Sequence, residues 1–213
     1  MKSLFLSSLL MFSLFIASAN TNEAYVKAMK AKIEQLHPGK SITDLQELAN
    51  AFERIAQKET TEWLPLYYAA HSYIIMGFDG SLALEDKDTY LNKAIGLIED
   101  AEKLSVNNSE LTALKGYAIM GKLTADAANR GQSLSPQVMQ TLGKAIQQSP
   151  ENPRALYLMA QMEYGMAQFF GNGTEKACAM NQQSITLFEQ EETEGIMPSW
   201  GQKAAISMAA RCQ

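Results

Sequence analysis

Two histidines and two cysteines carry most of the chemical options of this 213-residue chain. Neither His37 nor His71 has a second His or Cys at i+3 or i+4, so no helix-borne zinc pair can form. His37 stands in a His-Pro-Gly turn and reads as a turn residue. His71 lies one helical turn after Tyr67 and reads as core or groove-lining rather than catalytic. No Gly-x-Ser-x-Gly elbow, His-Glu-x-x-His pair, phosphate loop or Gly-x-Gly-x-x-Gly fingerprint occurs. Gly171-Asn172-Gly173 is too short for a phosphate cradle. It reads as an inter-helix turn, with weak anion binding at the next helix N-terminus as the alternative. The acidic run Glu189 to Glu194 lacks the alternating ligands and turn glycine of a calcium loop, so it reads as a solvated helix end. No nucleophile–base pair, metal set or cofactor site can be assembled, and the chain is expected not to be an enzyme.

Charge and composition narrow the partners. Lys and Arg number 18 against 23 Asp and Glu, a net charge of −5, which is the wrong sign for a nucleic-acid partner. Hydrophobic residues make up 46% and charged residues 19%, enough apolar content for a packed core. Residues 1–19 read as a signal peptide. Lys2 is the positive end, Leu4 to Ile16 the apolar stretch, and Ala17-Ser18-Ala19 a cleavage motif, with the cut between Ala19 and Asn20. The alternative, a retained anchor, needs a longer apolar run with basic flanks. No cysteine follows to accept a lipid. The remaining residues, 20–213, contain no run of membrane length, so the mature chain is expected to be exported, periplasmic or secreted, without a membrane span.

Helical spacing dominates the rest. Tyr25, Met29, Ile33 and Leu36 mark a helix over 22–36, closed by His37-Pro38-Gly39. Thr43 and Gln46 suggest a capping box for a helix over 44–58. Further helices are expected at 61–77, 85–104, 109–128, 136–148, 153–169, 175–190 and 200–211. Pro65, Pro136 and Pro153 fit first-turn positions, and Ser199 with Gln202 suggests a second capping box. No alternating β-branched run indicates a strand. The expectation is all-α, with about nine helices.

The helices repeat in pairs. Tyr73-Ile-Ile-Met-Gly77 recurs 44 residues on as Tyr117-Ala-Ile-Met-Gly121, with a weaker copy from Tyr164. Ala101 and Ala145 each lie 28 residues after the tyrosine of their copy, where a second helix would cross its partner closely. Residues 78–85 and 122–135 are expected as loops inside the hairpins. Such hairpins cannot bury their apolar faces alone and stack into a solenoid. The expected order is a capping pair at 20–58, hairpins at 60–108, 109–151 and 152–190, and a capping helix at 199–212.

These features resemble the tetratricopeptide (TPR) repeat family. Ala94 and Ala101 lie seven apart, as the family's two alanines do. Ala145 precedes Pro150 as the family's last alanine precedes its closing proline, and Ala177 and Ser184 take the small positions of the third hairpin. Val138 and the missing glycines depart from the pattern. The segments WLPLYYAA (63–70), NPRALYLMAQ (152–161), GNGTEKA (171–177) and PSWG (198–201) together resemble a group of exported TPR-like proteins of Gram-negative bacteria. That resemblance implies fold and compartment and no mechanism.

Export places Cys178 and Cys212 in an oxidising compartment. If the last two long helices are antiparallel about the 191–199 connection, both cysteines reach the same end of that hairpin. A disulfide is predicted, with two buried or free thiols as the alternative. Met159, Met162 and Met166 lie along one helix face, as core filling or as an adaptable binding surface.

Matching to the family's groove positions picks out Tyr67, His71, Lys115, Tyr157 and Gln161 as candidate groove residues. The leading functional expectation is a non-catalytic interaction module that takes a peptide or protein partner in a concave helical face. The alternative is a small-molecule-binding accessory component of an envelope transport system. Its ligand would sit under Trp63, Tyr67, Tyr157 and the methionine-rich faces.

Overall fold

The computed structural model describes residues 23–192 and 194–212. The expected signal peptide and its expected cleavage junction at Ala19 and Asn20 lie outside the described residues. Among those described, the chain is all-helical. A first helix, α1, covers residues 23–33. It is followed by α2 (Ile42–Lys58), α3 (Leu64–Gly77), α4 (Leu84–Leu104), α5 (Ser109–Ala125), α6 (Ala127–Gln148), α7 (Pro153–Phe170), α8 (Glu175–Gln190) and α9 (Gln202–Ala209), closed by a 3-10 turn at Ala210–Cys212.

Side-chain caps set several boundaries. Asn108 and Asn152 each accept hydrogen bonds from the first backbone amides of α5 and α7, and Pro153 opens α7 where no N–H is needed. Several boundaries differ from the sequence expectation: α1 ends at residue 33 rather than 36, α3 starts at Leu64 rather than 61, and three others have a visible cause. The cap of α2 is Ser41, whose hydroxyl accepts from the Asp44 amide, rather than Thr43. α9 starts from Gly201 at φ 111°, with no side-chain cap, so Ser199 and Gln202 form no capping box. The largest difference is at 122–135, which is not a loop. α5 runs to Ala125, Asp126 makes the turn and caps α6 through the Asn129 amide, and Pro136 lies inside α6. The reason is tertiary. The Arg130 guanidinium grips Asp88 of α4 with two bonds of 2.7 and 2.6 Å, and also donates to the Lys122 carbonyl. That clamp holds the extra turns helical despite the proline.

Helices pack as neighbours: α2 on α3, α3 on α4, α5 on α6 and α7 on α8. Across the repeats, α3 touches α5 and α5 touches α7. The recurring Tyr-x-Ile-Met-Gly motif has a packing cause. Leu91 of α4 is fully buried and wedged between the two glycines. A Cβ at Gly77 would stand 2.5 Å from Leu91 Cγ, and one at Gly121 would stand 2.8 Å from Leu91 Cδ2. Ala101, Ala145 and Ser184, at the close crossings, are completely buried.

The apolar interior divides in two. One cluster joins α1 to α5 around Phe52, Tyr68 and Ile98, and the other joins α5 to α9 around Leu142, Leu158 and Met208. Tyr117 and Trp200 pack against both and close the seam between them.

Candidate functional site

Every residue of α3 except Leu66 is buried. A helix with no polar face needs cover on all sides. Part of that cover is a strap of the chain's own C-terminal region, residues 194–201, which lies between α8 and α9 and touches α3 through Ile196 and α3, α5 and α7 through Trp200. The Tyr68 phenol donates to the Ile196 carbonyl at 2.9 Å. The Trp200 indole N–H donates to the Tyr67 hydroxyl at 2.8 Å.

Trp200 is the centre of a stacked aromatic series. Its ring lies 4.6 Å from His71 at an interplanar angle of 28°, and 5.5 Å from Tyr117 at 21°. Tyr117 in turn stacks on Phe78 at 4.9 Å and 28°. Each such pair contributes about 0.5–1.5 kcal/mol beyond simple area burial. The series runs from enclosed His71 to Phe78, which is 36% exposed.

Beside the series sits a charge hub. Arg154 on α7 is only 2% exposed. Its Nε donates to both oxygens of Glu110 at 2.9 and 2.8 Å. Its two terminal nitrogens hold Glu191, and one also donates to the Trp200 carbonyl at 3.3 Å. Glu110 additionally accepts from the Tyr67 hydroxyl at 3.2 Å. Burial works against the Arg154 charge, but Glu110 and Glu191 outweigh it and hold its pKa above the usual value. Burial, reinforced by Glu110, pushes the Tyr67 phenol well above its ordinary range, so it stays a neutral donor. An open cleft of about 340 Å³ lies along this edge, lined by Glu110, Arg154, Glu191, Glu194, Met197 and Pro198.

His71 is held neutral. Burial, and then the Arg154 charge, lower its pKa from 6.5 to about 3. Its Nδ1 is buried and has no hydrogen-bond partner. Between pH 6.5 and 3 the unfolded chain binds a proton at this residue and the folded protein does not, so stability falls as the pH drops through 6.5. Acidification from pH 7 to 5 is expected to remove about 2 kcal/mol through His71 alone. Urea melts of the parent and His71→Phe at the two pH values check this. An equal loss in both proteins would count against it.

The predicted groove residues are not gathered in one open channel. Tyr67 is fully buried and His71 is 7% exposed, both beneath the strap, so neither lines a free surface. Lys115 points the other way: residues 115 and 117 lie about 200° apart around α5. It pairs with Glu99 and Glu102 at 3.2 and 3.3 Å and borders a separate polar cleft of about 650 Å³ against α6. Tyr157 and Gln161 lie one turn apart on α7, with Tyr157 close to Tyr117 and its phenol raised to about 12, mainly by burial. Trp63 packs edge-on against Tyr67 at 5.7 Å, within the α3 cluster.

Sequence reasoning passed over Trp200, Phe78, Arg154 and Glu110 as site residues, and noted Tyr117 only as a repeat position. Two of them stand inside segments already notable for their wording, Trp200 in PSWG and Arg154 in NPRALYLMAQ. Cys178 and Cys212 are joined by a disulfide, with Cα atoms 5.7 Å apart, which ties the end of the chain to α8. The Asn181 side chain donates to the Ala205 carbonyl at 2.9 Å and closes the same hairpin. No cluster able to hold a metal ion occurs among the described residues.

No family model matches the chain, and no curated protein matches it. A solved structure does. The HusA haemophore from Porphyromonas gingivalis is similar with a TM-score of 0.76 and 28% sequence identity, over 90% of this chain and 92% of that one. The likeness fits an all-helical bacterial fold. No helix among the described residues is long and apolar enough to cross a membrane.

Proposed function

We propose that the protein is an exported, non-catalytic carrier that binds a planar small molecule of the porphyrin class on the inner face of a TPR-like helical stack. The observation that carries this reading is the series His71, Trp200, Tyr117 and Phe78. It is a row of flat rings at the seam between two cores, in a chain that is similar to a haemophore over nearly its whole length. A porphyrin offers a broad π face with an apolar rim, which is what such rings accept by offset stacking.

The competing reading, capture of a peptide or protein in the groove, has one observation behind it. The inner face already holds an extended peptide, the strap, through the Ile196 and Trp200 carbonyls. The same observation weakens it, because Tyr67 and His71 are thereby taken.

Titration of residues 20–213 with ferric protoporphyrin, followed by the Soret band and by quenching of Trp63 and Trp200 emission, tests the proposal. A saturable one-to-one response is expected. No shift and no quenching at tens of micromolar would refute the ligand class. Crosslinked capture of an envelope protein, abolished by Gln161→Ala and without any porphyrin response, would favour the protein-partner reading.

A further inference from the structure

The strap has the marks of an occupant rather than a wall. The Trp200 indole stacks against His71 of α3 and also against Tyr117 of α5, and takes the place beside both that another flat ring could take. Beneath the strap lie buried aromatic residues of α3. Above it Glu194, Gly195, Met197 and Ser199 are exposed. Three polar contacts hold it down: Tyr68 to the Ile196 carbonyl, the indole N–H to Tyr67, and Arg154 to the Trp200 carbonyl. Ile196 and Pro198 are buried and Trp200 packs against both core clusters, so the rest of its hold is apolar contact, which a ligand with an apolar face can replace.

Its two ends are built to turn. Gly195 has φ 66° and Gly201 φ 111°, conformations that residues with a Cβ rarely adopt. At Gly201 a Cβ would also stand 2.7 Å from the Phe188 ring. A rigid element continues on one side of the strap, with α9 fixed to α8, so the strap can lift without unfolding its neighbour.

We propose that this place beside His71 and Tyr117 is the seat of the planar ligand, and that the strap is a gate whose Trp200 occupies that seat when no ligand is bound. The proposal rests on the porphyrin-class reading above and deepens it. Lifting the strap exposes Tyr67 and Tyr68 as further apolar floor and frees one Arg154 N–H, a donor suited to a ligand carboxylate. Because stacking needs only a flat ring system, metal-free protoporphyrin is a sufficient probe.

The test compares the wild-type chain with Trp200→Ala and Tyr117→Ala, each titrated with metal-free protoporphyrin and followed by porphyrin fluorescence. Trp200→Ala is expected to bind at least tenfold more tightly than wild type, and Tyr117→Ala at least tenfold more weakly. Equal or weaker binding by a folded Trp200→Ala overturns the gate while leaving the ligand class standing. No binding by any of the three overturns the ligand class itself. Hydrogen exchange on the wild-type protein gives a second, mutation-free reading. Faster exchange across residues 194–201 with the probe bound supports an opened gate, and slower exchange there overturns it.

Discussion

Arg154→Ala is expected to cost about 3–5 kcal/mol of stability, the range for leaving a buried charge without its partner. The side chain is 3% exposed, and its guanidinium is the common partner of Glu110 on α5, Glu191 at the end of α8 and the Trp200 carbonyl in the strap. Removing it strands Glu110, whose side chain is only 14% exposed, and unties three parts of the fold at once. Arg154→Lys should recover little, because an ammonium cannot span two carboxylates as a planar fork does. Arg154→Met combined with Glu110→Gln should recover at least half, because it deletes the unpaired charge as well as the pair. Guanidinium melts of the three variants decide the matter. A loss below 1 kcal/mol for Arg154→Ala would show that the hub is bordering decoration.

Cys212→Ser is expected to lower stability by about 4 kcal/mol in the chain-entropy model, given the 34-residue separation that the disulfide closes. The effect should be concentrated at the end of the chain. α9 has eight residues, too few to hold helical form alone. Without the disulfide this end of the chain is held by Ala205 and Met208 in the core, the Asn181 bond to the Ala205 carbonyl, and Tyr164, which donates to the Arg211 carbonyl at 3.3 Å and lies under its guanidinium. Thermal melts with and without reductant should show the drop in the parent protein and none in Cys178→Ser/Cys212→Ser. Cys178→Ser should match Cys212→Ser. A reductant-insensitive melting temperature in the parent would contradict the prediction.

Much of the architecture was readable because local chemistry and global packing agree. Asn152-Pro153 announces a helix start, and α7 begins there. The equal spacing of Tyr73 and Tyr117 reflects a shared packing job, since the glycine closing each motif makes room for Leu91. Where local and tertiary signals compete, the reading fails. Ser135-Pro136 looks like a helix start, yet the Arg130–Asp88 clamp keeps the preceding residues helical.

The candidate site was less legible for a related reason. The register that assigned Tyr67 and His71 to a groove assumes that the inner face of α3 meets solvent. The segment LPLYYAAHSYIIMG has no polar side to turn outward, and that was the available warning. What covers it could not be read, since a Pro-Ser-Trp-Gly tetrapeptide carries no periodicity and its partners lie 83 residues away at Tyr117 and 133 at Tyr67.

The disulfide has a consequence for recognition as well as for stability. It makes α8, the strap and α9 one covalent ring, so a displaced Trp200 cannot wander. The indole is an intramolecular competitor at a local concentration of the millimolar order set by the short tether, whatever the protein concentration. A ligand's apparent affinity is therefore reduced by a constant factor that dilution does not change. Cutting the ring lowers that factor, so reduction of one bond distant from the seat should tighten binding and weaken the fold together.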